Sequence, residues 1–382
     1  METPVAIASS LSLSTANGRN NEKMKIVGNS ILFENGFSLV LHRTIRLPED
    51  GKAHALPPSR GSFPMKRIED YKDKVPEAWR DHGGVFIPMY AREAMWLGFN
   101  GATSAVKVAT GKVNAVSGGK WTQELQPPTG VDGKDPEQDY MVAPRPQPWL
   151  DGFNVGGGQI RQFVAMQMGQ GYTVEGQVTG KEDVGGIQVL VVPAKPGAVS
   201  TGVTRGDTML ESFAMPASAG YYMAGEDAVV ASPASATLGG ALRSATRSAL
   251  PKAAEMGLAQ GGRMRQDIYA DPHGIDVWDQ TKAERIFIHI VNAELWEKIT
   301  GEKCPPSPIA ASEYNGPWFD YNSGEEALQG SGTLANVKPV SQKDKEHGFV
   351  GQQNDEPLNE TPKVVSLTPT PKPKNVISDG NW

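Results

Sequence analysis

The chain has 382 residues, and its 43 glycines and 29 prolines argue against a long helical bundle, a coiled coil or a helical repeat. Its 37 Lys and Arg against 43 Asp and Glu give a net charge of −6, whereas a general nucleic-acid binder carries a basic surplus. No apolar run approaches the ~18 residues of a membrane span. A single cysteine excludes a scaffold stapled by internal disulfides.

The first 23 residues are rich in Ser, Asn and other small residues, which predicts a flexible N-terminal segment. The segment has no basic leader followed by an apolar run, so we expect no secretory signal and a cytoplasmic location. Ordered structure is expected to begin near Met24.

The first structural signal is a β-hairpin. Asn35 and Gly36 separate two runs rich in β-formers, and this dipeptide is typical of a type I′ turn because both of its central residues need a positive φ. In residues 37–47, apolar and polar side chains alternate, as in a half-buried strand.

The middle of the chain predicts short elements of both kinds. A proline at the first turn predicts a helix over residues 76–80, and good helix formers ending at Gly98 predict another over residues 90–97. Predicted strands cover residues 105–109, 112–116, 172–178 and 187–192.

Residues 196–260 are rich in Ala, Gly and Ser, and predict a long loop insertion with one helix near residues 250–258. A buried strand is expected over residues 286–291, followed by a helix that Asn292 caps and Gly301 ends. From residue 328 to residue 382 the apolar content falls and a Pro/Lys-rich stretch appears, which predicts a disordered tail.

These elements predict a mainly β fold of the α+β kind. We expect an antiparallel, β-sandwich-like body over residues 24–327 with a few short helices, flanked by disordered N- and C-terminal tails.

The glycine-rich motifs do not predict a cofactor. The triplet at residues 156–158 lacks the later glycine of a dinucleotide-binding loop, since Arg161 stands there, and it reads better as a turn. The sequence therefore predicts no cofactor and no catalytic residue.

Asp271, His273 and Asp276 lie in a short acidic turn and, with His289, could supply oxygen and imidazole ligands to a metal. The Asp-Pro and His-Gly dipeptides are also ordinary turn signals, and we predict no metal here. His289 stands in an apolar strand, which favours a buried, hydrogen-bonded core histidine over a catalytic or pH-sensing one.

Cys304 precedes two prolines, and no base lies near it in the sequence. This context favours a free, inert thiol, and the alternative is an intermolecular disulfide.

Two aromatic–acid clusters could line a carbohydrate site. One holds Trp149 and Asp151, and the other holds Trp318 and Asp320. An aromatic face can stack on a sugar ring while a carboxylate accepts protons from its hydroxyls. Packing at the end of a sheet is the alternative interpretation, and it is favoured.

Several strings in the middle of the chain resemble a family of bacterial and fungal proteins that are mostly uncharacterised. They are QPWLDG at residues 147–152, IRQFVAM at 160–166, GYTVEGQVTG at 171–180, GGRMRQDIY at 261–269 and PWFD at 317–320. The likeness covers roughly residues 40–325. This family is in turn similar to octin-type fungal proteins, which build octahedral statolith crystals. The resemblance implies self-assembly, and for the octin type a vacuolar location, and it supplies no catalytic residues.

Three function classes follow. The first is a structural protein that self-assembles into particles or a crystalline lattice with copies of itself as its partner, and it is the one we favour. The others are a hydrolase-type enzyme using Asp151, Asp271, His273 or His289, and a carbohydrate- or ligand-binding β module using Trp149 or Trp318.

Overall fold

The computed structural model describes residues 24–126, 138–199, 255–308, 310–349 and 363–367. The predicted flexible segment 1–23 lies outside these residues, as does most of the predicted insertion.

The described residues form five α-helices and nineteen strands. The helices are α1 (Glu77–His82), α2 (Val174–Thr179), α3 (Ala293–Thr300), α4 (Gly332–Ala335) and α5 (Val340–Glu346). Short 3-10 helices cover Ile68–Tyr71, Ile275–Val277, Gln280–Lys282 and Ala311–Glu313. The strands are β1 (Lys25–Val27), β2 (Ser30–Leu32), β3 (Phe37–Thr44), β4 (Ala53–His54), β5 (Ser59–Ser62), β6 (Lys66–Arg67), β7 (Val85–Met89), β8 (Ala94–Gly101), β9 (Ser104–Thr110), β10 (Val113–Asn114), β11 (Met141–Ala143), β12 (Trp149–Leu150), β13 (Gly152–Asn154), β14 (Gln159–Gln167), β15 (Ile187–Pro193), β16 (Glu255–Arg265), β17 (Glu284–Asn292), β18 (Trp318–Tyr321) and β19 (Val364–Leu367).

The fold is mainly antiparallel β, as predicted. One ribbon of antiparallel pairs runs in the order β1, β2, β3, β8, β14, β16, β17, β15, β9, and the short strands β10 and β11 both pair with β9. Parallel pairing joins β4 to β16, β7 to β17, and β18 to β19.

Two halves of this ribbon enclose one hydrophobic core, which makes the body sandwich-like. Strands β16 and β17 pair only at Glu255 with Val291 and at Met256 with Ile290, so the ribbon turns there. Side chains of β3, β8 and β14 meet those of β9, β15 and β17 in a single buried cluster.

The predicted hairpin is confirmed, with a different turn. Gly36 donates to the carbonyl of Phe33 at 3.0 Å and has φ +86°, while Asn35 does not have a positive φ. The Asn35 side chain instead accepts a hydrogen bond from the backbone N–H of Phe37. This is a three-residue loop with a glycine bulge rather than the expected type I′ turn.

The helix predicted over residues 90–97 is wrong, because β8 begins at Ala94 and occupies the second half of that segment, and the first half is not helical. From Ala94 to Phe99 every residue of β8 is buried, and the strand pairs with β3, β12 and β14. Burial on both faces outweighs helix propensity, which differs by well under 1 kcal/mol among these residues.

Two further segments have the opposite structure from the prediction. The strand predicted over residues 172–178 is wrong, because Val174–Thr179 form α2 between the Thr173 cap and the left-handed Gly180. The helix expected near residues 250–258 is wrong from Glu255 onward, where β16 begins, and residues 250–254 lie outside the described part.

Five of the remaining predicted elements are confirmed, and one is confirmed in part. The helix at α1, the strands β9, β15 and β17, and helix α3 with its Asn292 cap and Gly301 end are all confirmed. Of the strand predicted over residues 112–116, only β10 is present.

The C-terminal region departs from the predicted disordered tail in its described parts. Helices α4 and α5 pack on the body, and Leu334, Val337 and Val340 are buried. Strand β19 pairs with β18. Packing against the body therefore continues well past residue 327.

Candidate functional site

Trp149 lies beside an open cleft at the end of the sheet. Its ring centroid is 5.1 Å from that of Tyr321 and 6.4 Å from that of Trp96. Tyr321, with Asp267 and other polar residues, lines a cavity of about 720 Å³. The structure thus brings Trp149 to the strand that carries the second aromatic–acid cluster.

Asp151 is buried behind this cleft rather than facing into it. Its carboxylate accepts a hydrogen bond from Gln266 Nε2 at 2.8 Å, and its backbone N–H donates to Gln266 Oε1 at 3.2 Å. Burial raises the pKa of Asp151 to about 7, against the hydrogen bond from Gln266, which lowers it. Because Gln266 also lines the cleft, it connects the buried carboxyl group with the cavity.

The second cluster is used for packing and for an ion pair. Trp318 is 1% exposed and belongs to the core, so its ring has no free face for a sugar. Asp320 accepts two hydrogen bonds from Arg265, both at 3.1 Å. Tyr321 donates its hydroxyl to the carbonyl of Pro146.

Asp271 organises a turn instead of holding a ligand. One carboxylate oxygen accepts hydrogen bonds from Tyr140 Oη at 2.8 Å and Trp278 Nε1 at 2.7 Å, and the other accepts from the backbone N–H of His273. The His273 side chain is exposed and lies 5.9 Å from the Trp278 ring.

His289 is a core histidine, as favoured from the sequence. It is 3% exposed, stacks on Trp79 at 4.7 Å between ring centroids, and its Nε2 lies 3.1 Å from the carbonyl oxygen of Gly83. Burial lowers its pKa to about 3, and the Gly83 contact opposes this change. His289 and Asp271 therefore have different partners. In the described ranges, no group of three or more His, Cys, Asp or Glu side chains is placed to hold a metal.

Cys304 is half-buried against a small apolar cluster that contains Phe86 and Trp296. Burial raises the pKa of the thiol, and a hydrogen bond with Tyr90 opposes this. The intermolecular disulfide stays a prediction.

Sequence reasoning missed the outermost strands. In the part of the chain that the structure describes, the exposed large apolar side chains are Val27, 60% exposed on β1, and Val364, 39% exposed on β19. Among described residues β1 pairs only with β2, and β19 only with β18. The available signals were the two apolar residues Ile26 and Val27 before Gly28 and the Val-Val-Ser-Leu run inside a polar region.

No helix in the described ranges has the length and apolar composition required to cross a membrane. Comparison with protein-family models, with curated proteins and with solved structures finds no match to this chain. The resemblance to the bacterial and fungal family therefore stays a prediction.

Proposed function

We propose that this chain is a structural protein whose copies self-assemble through the edges of their sheets. The observation that carries the proposal is the position of Val27 and Val364, the exposed large apolar side chains of the described residues, on two outermost strands. Exposed apolar groups on such strands favour association, because a second copy can cover them.

Strand edges supply directional contacts as well as apolar ones. An outermost strand offers backbone N–H and C=O groups that a strand from another copy can pair with. Since β1 and β19 belong to different sheets, pairing of β1 from one copy with β19 from the next is a heterologous contact. Where the rotation between successive copies does not close a ring, such contacts repeat and build extended arrays.

Electrostatics permit this association. A net charge of −6 spread over 382 residues gives weak repulsion between copies near neutral pH. Repulsion decreases further as carboxylates are protonated, so assembly is expected to strengthen in mild acid.

The alternative functions have less geometric support. A carbohydrate module would need exposed rings, but Trp318 is in the core and Trp149 packs between Trp96 and Tyr321. A hydrolase would need its acids and bases together, but Asp151, Asp271 and His289 have separate partners. Both alternatives stay predictions.

The test replaces each edge valine with a charged residue. Val27→Lys and Val364→Lys place a solvated ammonium on β1 and β19, which discourages edge pairing. We expect wild-type particles or lattices in sedimentation velocity and electron microscopy, and a shift to monomers or small oligomers in each variant.

Glu297→Gln serves as the control, since it makes the same change in net charge on the exposed face of α3. It should assemble like the wild type. A wild-type protein that stays monomeric when concentrated at neutral and mildly acidic pH, or two lysine variants that assemble normally, would refute the proposal.

A further inference from the structure

A second cavity lies on the outer face of the β9, β15 and β17 half of the body. It has a volume of about 330 Å³. Arg285 and Phe287 of β17 and Gln188 of β15 line it, and Gln188 pairs with Phe287 in the strand register. The cavity therefore rests on rigid strands, which suits a preformed site.

The walls of this cavity are cationic. Lys112, Lys120 and Arg285 line it together with His82, and no Asp or Glu is among its eight lining residues. Lys112 forms an ion pair with Asp183 at 2.6 Å, but both side chains are at least 40% exposed. Such an exposed pair is weak, so it competes little with a ligand anion.

Aromatic rings complete the walls. The Arg285 guanidinium lies 4.7 Å from the centroid of the Phe287 ring, and the His82 ring lies 4.5 Å from it. Trp121 also lines the cavity, and its indole N–H is buried with no acceptor among the described residues. Partial burial lowers the pKa of Arg285, because removal from water disfavours the charged form.

We propose that this cavity binds a small organic phosphate that carries a flat ring, such as a nucleoside monophosphate. Three cationic side chains match a doubly charged phosphate, and the guanidinium can bind it through two parallel hydrogen bonds. The ring of Trp121 provides apolar surface for the ring of the ligand. This activity is independent of assembly through the strand edges.

The test compares three probes by isothermal titration calorimetry with the full chain. Adenosine monophosphate has both parts, adenosine has the ring alone, and inorganic phosphate has the anion alone. We expect adenosine monophosphate to bind at least about tenfold more tightly than either part, with an affinity that decreases as salt is added. Absence of binding, or equal affinity for adenosine and its monophosphate, would overturn the proposal.

Two substitutions in the cavity wall test whether adenosine monophosphate binds in this cavity. Lys120→Gln and Arg285→Gln each remove one cation and should raise the dissociation constant for adenosine monophosphate by about tenfold. Lys120 is exposed, so its variant keeps the test valid if Arg285→Gln fails to fold. The control Lys298→Gln makes the same charge change on α3 and should bind normally. Equal binding by wild type and Lys120→Gln, or weakened binding by Lys298→Gln, would refute this location.

Discussion

At the scale of single residues, burial moves two titratable groups in opposite directions. Asp151 and His289 are both almost completely buried, and in both cases removal from water disfavours the charged form. The pKa of Asp151 is therefore raised to about 7, and that of His289 is lowered to about 3. The apolar strand around His289 favours its burial, but the sequence does not show how far burial moves either pKa.

Asp151→Asn should change how stability depends on pH. In the wild type, the unfolded chain ionises Asp151 near its ordinary pKa of ~4, while the folded chain does so only near 7. The stabilising contribution of Asp151 to the unfolding free energy is thus fully present below pH ~4 and is lost as the pH rises to about 7. Asn cannot ionise. The unfolding free energy of the variant minus that of the wild type should therefore increase by about 1.4 kcal/mol for each pH unit across this window.

Urea denaturation at several pH values measures this difference. His289 also makes the unfolding free energy depend on pH, but in the opposite direction, because its stabilising contribution is lost as the pH falls. This contribution is the same in both proteins, so it cancels in the difference between variant and wild type. Asp81→Asn is the matched control, since Asp81 is exposed on α1. Parallel curves for wild type and Asp151→Asn would contradict the assignment.

At the scale of elements, a polar contact holds α5 against the body, although the sequence predicted a disordered tail for this segment. Arg92 donates to the two carboxylate oxygens of Asp344 at 2.7 and 2.6 Å, and Tyr172 Oη donates to it at 2.7 Å. Arg92 has φ +70°, the one positive value outside glycine among described residues. A costly backbone conformation held in place by this bidentate pair indicates that the contact is stabilising.

Asp344→Asn should release α5 from the body. The substitution removes the charge that faces Arg92 in a site where Asp344 is 2% exposed, and we expect the unfolding free energy to fall by about 2 kcal/mol. Hydrogen exchange of the amides of α5 should become faster. Glu346→Gln on the same helix removes ion pairs with the exposed Lys338 and the half-buried Lys343, leaves the contact between Arg92 and Asp344 intact, and should change little. Unchanged exchange in Asp344→Asn would refute this role.

The incorrect elements have a common cause. Residues 90–97 contain good helix formers, but β8 is buried by neighbours on both faces. In α2 the alternation over residues 172–178 indicated a strand, whereas the Thr173 hydroxyl accepts a hydrogen bond from Gly176 and starts a helix. A prediction from local sequence pattern is wrong where a helix cap or a neighbouring strand contributes more free energy than helix or strand propensity does.

At the scale of the whole molecule, assembly by strand edges makes a prediction about Cys304. Edge pairing needs no covalent bond, so Cys304→Ser should still form particles in electron microscopy. Any multimers that survive a non-reducing gel should disappear in the variant, because the chain has no other cysteine.

Wild type treated with reductant is the control for this experiment and should behave like Cys304→Ser. A single monomer band from oxidised wild type would show that the disulfide prediction is wrong. Loss of particles in Cys304→Ser would show that strand edges are insufficient for assembly.

The sequence by itself determined the β class, the hairpin near Asn35, the strands β15 and β17, and helix α3 with both of its ends. These features depend on alternation, turn residues and caps, which act within a few neighbouring residues. Only the tertiary structure decided that β8 is a strand, that α5 packs on the body and that Asp151 is buried. It also placed Val27 and Val364 on outer edges and gathered Lys112, Lys120 and Arg285 around one cavity. Burial and pairing between distant segments set those outcomes, and no local pattern encodes which segments meet.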